Sequence, residues 1–62
     1  MQDWKHKLLD ERDEVISKIL KLENFVTELR PEISEAEHIL LVTQLHLMRA
    51  YSNVLNARVA SW

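Results

Sequence analysis

The chain of 62 residues has no cysteine and no glycine, a single proline, one tyrosine and one phenylalanine. Each absence narrows the reading. Without cysteine there is no disulfide to staple a domain this small, and thiolate metal sites are excluded. Without glycine, and with proline confined to Pro31, little interrupts helical periodicity. The longest unbroken apolar run is Ile39 to Val42, far short of a membrane span, so no membrane partner is expected. The opening "MQDWKHK" has no apolar core of the kind a secretory signal needs, which points to the cytoplasm. A net charge of −2 disfavours a general nucleic-acid binder.

The acids are unevenly distributed. All ten lie at or before Glu37, alongside six Lys or Arg; beyond it the only formal charges are Arg49 and Arg58. The first half reads as a solvated face laced with ion pairs, and the second half is the kinder environment for an anion.

The periodicity predicts an all-α protein. Leu8, Val15, Leu22 and Leu29 recur every seven residues, interleaved with Ile19 and Val26, as one helical stripe. Asp3 is the expected N-cap, and the residue before Pro31 is pushed out of helical geometry. Ser34 and Glu37 then fit the S-x-x-E capping box of a second helix. These signals define a helix over 3–30, a link over 30–34 and a helix over 35–61. Two helices of similar length, each about 40 Å long at 1.5 Å per residue, with so short a link must fold back as an antiparallel hairpin. Folding about Glu32 brings Ile19 near Leu45, Val15 near Met48, and Trp4 near Ala60 and Trp62.

The second helix is apolar on more than one side. Leu41, Leu45, Met48, Leu55, Val59 and Trp62 form one stripe. Leu40, Leu47, Tyr51 and Val54 form another beside it, and together they cover roughly half the circumference, wider than the usual single face. Leu9, Ile16 and Leu20 give the first helix a lesser second seam. A lone hairpin buries one seam per helix, so the expected solution is self-association into a homo-oligomeric helical bundle.

Four residues stand out as candidate ligand contacts. Arg12 falls inside the first helix's apolar stripe, opposite Ser52 and Tyr51 in the hairpin register. Its structural reading is a polar core residue that fixes register; its functional reading is a phosphate fork. Gln44, Tyr51 and Arg58 recur every seven residues along the edge of the second seam. A ring between an amide and a guanidinium can stack a base and hold a phosphate, or knit copies together through hydrogen bonds. Trp4 and Trp62 read as closing the hairpin's open end, and Arg49 as facing outward. Glu35-x-x-His38 has di-iron ligand spacing but lacks the further glutamates and second motif such a site needs. No metal, cofactor or catalytic constellation is expected.

The residues "W…LL…ER…I…I.KLE.FV" and "LL..QL..M..Y..VL..RV" resemble a family of very short helical phage and prophage proteins related to a small protein of crAss-like phages. Trp4, Glu11, Leu22, Phe25, Gln44, Met48, Tyr51, Leu55 and Arg58 carry the likeness. A looser similarity is to the anti-CBASS sponges, small oligomeric helical phage proteins that sequester cyclic nucleotide signals of host immunity. Their characteristic N-terminal sequence is absent here, so no binding residue is carried over. The resemblance implies a non-enzymatic phage accessory protein acting inside a bacterium against host defence, with a cyclic or signalling nucleotide as the expected cargo. The alternative is an adaptor or inhibitor that docks a host or phage protein on the apolar face of the second helix.

Overall fold

A computed structural model describes residues 3–29 and 32–62. Two helices account for nearly all of them: α1, Asp3–Leu29, and α2, Glu35–Ala60. They lie side by side and antiparallel in a rod of 49 × 15 × 12 Å. Arg30 and Pro31, on which the expected break falls, lie outside the described residues. Asp3, expected as the cap, is already in the first turn of α1, where its carboxylate opposes the helix's positive end.

The start of α2 is fixed by Ser34, whose backbone is extended at φ −69° and ψ 160°. The Glu37 amide donates to Ser34 Oγ at 3.1 Å, and the His38 amide donates to the Ser34 carbonyl at 2.9 Å. A cap of this kind contributes about 1 kcal/mol. At the far end the Ser61 amide donates to the Ala57 and Arg58 carbonyls, and the Trp62 amide to that of Val59. The carbonyls of Ala57, Arg58 and Val59, near the end of α2, thus have partners in place of water.

The buried seam is the one the heptads describe. Ile19, Val26 and Leu45 form its centre, with Val15, Leu22, Leu41 and Met48 half-buried around them. Nearer the open end Leu8 and Leu55 are buried, and Leu55 is fully enclosed at 0% exposure. Ser52 is buried too, at the stripe position between Met48 and Leu55. The second stripe of α2 has no cover: Leu40, Leu47, Tyr51 and Val54 are 63, 67, 44 and 56% exposed. Ile16 and Leu20 on α1 are exposed as well.

Polar contacts clamp the hairpin from its flanks. Arg49 does not simply face outward; its guanidinium reaches back across the hairpin to the Glu23 carboxylate. The Tyr51 hydroxyl donates to Glu11. Both pairs are solvated, so each adds little to stability.

Candidate functional site

The four sequence candidates do not meet in one place. Gln44, Tyr51 and Arg58 are exposed along a single line of α2. Gln44 and Arg58 stand about 21 Å apart along the axis at 1.5 Å per residue. Within one hairpin this line is an edge, and it encloses nothing.

Arg12 is partly buried, and its Nη2 and Nε donate to the carboxylate of its neighbour Asp13 at 3.2 and 3.3 Å. No hydrogen bond joins it to Tyr51 among the described residues. Tyr51 instead gives its hydroxyl proton to Glu11, one residue before Arg12 in the chain. That hydrogen bond, reinforced by desolvation and the carboxylate's negative charge, raises the tyrosine pKa above its ordinary value, while the Arg58 guanidinium pulls it the other way.

Arg58 has a different setting. It lies in the wall of a cavity of about 320 Å³ at the open end, shared with Trp4, Lys5, Ser61 and Trp62. The two indoles meet edge to face, with centroids 6.1 Å apart and planes at 83°. Such a pair adds about 0.5–1.5 kcal/mol beyond the area it buries. Lys5 Nζ lies 5.5 Å from the Trp4 ring centroid and 5.3 Å from that of Trp62, inside the range of cation–π attraction. Neither Lys5 nor Arg58 has an ion pair among the described residues.

Trp4 and Trp62 come together as the hairpin register requires, but the cavity they form with the cations was not among the sequence candidates. Two signals pointed to it: Lys5 adjoins Trp4, and Arg58 lies four residues before Trp62, one turn along the same face. A second concavity, of about 330 Å³, lies on α1 between Lys18, Lys21, Leu22 and Phe25. Among the described residues no group of three or more His, Asp or Glu could hold a metal ion. No described helix is long and apolar enough to cross a membrane.

The molecule is a short two-helix rod with an uncovered apolar stripe and an end cavity of rings and cations. The family model described as Sequestin matches residues 2–61, and the chain belongs to that family. The name describes sequestration, a binding rather than a catalytic role, and the sequence resemblance to small helical sequestering proteins of phages agrees with it. No curated protein and no solved structure matches the chain.

Proposed function

We propose that this protein is a homo-oligomeric module that sequesters a signalling nucleotide and so counters a host defence on behalf of a phage or prophage. The observation that carries the reading is the second stripe of α2. Four large side chains stand in water along it, while the seam beside it is closed. A second copy laid on that stripe would complete a four-helix bundle. The stripe runs through Gln44, Tyr51 and Arg58, so association would bring two such sets together in the half of the chain that has no acid beyond Glu37. Guanidinium forks suit phosphates and aromatic faces suit bases. Arg12, held by Asp13, would join the set on changing its partner. A sequestering protein needs tight binding and slow release, and no chemical step.

Calorimetry against ADP, cyclic AMP and cyclic di-AMP tests the proposal, with the bound compound recovered and analysed. The expected result is one nucleotide bound and returned unchanged by an oligomer seen in sedimentation. Arg58→Ala and Tyr51→Ala should abolish binding and leave the oligomer intact. The second reading, an adaptor or inhibitor docking a protein partner, draws on the same exposed stripe. It takes precedence if both variants lose the oligomer, because these residues then hold copies together.

A further inference from the structure

We infer that the open end of the hairpin is a binding site for a phosphate-bearing aromatic ligand, a mononucleotide in chemical class. Its walls are Trp4, Lys5, Arg58 and Trp62. This inference deepens the sequestration reading and rests on it, but it moves the site from the middle of the α2 edge to the end of the rod.

The first argument is chemical. The cavity is lined mainly by indole rings and cations, and its described lining contains no acidic side chain. Trp4 and Trp62 both line the cavity and are each about half exposed, so indole surface is available to a flat base. Stacking on an aromatic side chain contributes about 1–3 kcal/mol per base. Lys5 and Arg58 supply the positive charge. A planar guanidinium with an ammonium beside it suits a terminal phosphate, which accepts several charge-assisted hydrogen bonds at once.

The second argument is electrostatic. The C-terminus of a helix ordinarily repels anions through its free carbonyls, and α2 ends here. Three of those carbonyls are occupied: the Ser61 amide donates to the oxygens of Ala57 and Arg58, Ser61 Oγ donates again to Arg58 O at 2.9 Å, and the Trp62 amide donates to Val59 O. The N-terminus of α1 lies at the same end and adds positive potential. Asp3, the acid in its first turn, is not part of the cavity lining.

The third argument concerns what Lys5 now does. Its ammonium hovers over both rings, a placement that holds it over the cavity without neutralising it. A phosphate arriving there meets a cation already in position, with no acidic side chain to displace. The volume of about 320 Å³ lies at the lower end of the range for small-ligand sites, about 300–1,000 Å³, which leaves room for one base and its phosphates.

Trp4 and Trp62 are the only tryptophans in the chain, so tryptophan fluorescence, excited selectively over Tyr51, reports on this site alone. Titration of the full chain with ADP should quench it saturably. Adenosine and inorganic diphosphate, each half of the ligand, should bind at least tenfold more weakly. Lys5→Gln combined with Arg58→Gln should weaken ADP at least tenfold with the circular dichroism unchanged. Trp62→Ala should do the same, and Trp62→Phe should restore binding. If calorimetry detects ADP binding while fluorescence stays flat and both Lys5→Gln and Trp62→Ala bind as well as the parent, the ligand sits elsewhere. The site proposal then falls and sequestration stands. If ADP, cyclic AMP and cyclic di-AMP all fail to bind the unmodified protein, both proposals fall.

Discussion

Along α2, Leu45, Ser52 and Leu55 lie against α1, while Leu40, Leu47 and Val54 stand in water roughly 130° further round the same helix. The two faces differ little in how apolar they are. They differ in what the other helix can reach, since one neighbour touches one side. Burial in so small a protein is therefore set by partner number as much as by sequence, and the exposed face is as well built for packing as the closed one.

Substitutions on the two faces should separate them. Leu55 is fully enclosed, so Leu55→Ala should lower stability by about 2–5 kcal/mol. Chemical denaturation should return that loss at every protein concentration, because the contact is made within one hairpin. Leu47→Lys acts on the open face. If copies associate there, the variant should sediment as a smaller species, and the parent's concentration-dependent melting temperature should become concentration-independent. A parent melting temperature that does not change over a hundredfold dilution would show that this face stays bare.

The smallest effect concerns Tyr51, on the open face but tied to α1 through Glu11. Its folded pKa is raised above the unfolded value. The stability linked to it is therefore fully present below the ordinary tyrosine pKa and is lost as pH climbs through the raised one. Tyr51 is the only tyrosine, so ultraviolet titration reads it directly. The midpoint should lie above the ordinary 10.0 and fall back toward it in Glu11→Ala. An unchanged midpoint in the variant would remove the hydrogen bond as the cause.

Much of the fold was legible because helices repeat and hairpins have a register. The heptad positions Leu8, Val15 and Leu22 face inward or nearly so, Ser34 caps α2, and the two tryptophans meet. Ser52 carries no hydrophobic signal, yet helical phase alone puts it in the seam, where it is buried. Side-chain partners were harder to read. Arg12 could reach toward α2 or along its own helix, and it chose Asp13. Arg49 reached back to Glu23. Long charged side chains select among several acids at similar distance for small energy differences, and sequence spacing does not rank those. The end cavity was missed for another reason. Its parts come from opposite ends of the chain and acquire a common chemistry only when α1 and α2 close.

The register of the hairpin also orders its closing in time. Sequence separation between facing residues grows from 26 for Ile19 and Leu45 to 40 for Glu11 and Tyr51 and 58 for Trp4 and Trp62. Joining distant residues directly costs chain entropy that rises with the logarithm of the loop, about 0.6 kcal/mol per doubling. Each contact already made near the link shortens the loop left for the next one. Closure that begins beside Glu32 and travels outward meets a small entropic step at every turn, whereas closure begun at the tryptophans meets the whole loop at once. On loop entropy alone the helices should zip from the link, with the indole pair the last contact to form and the first to part.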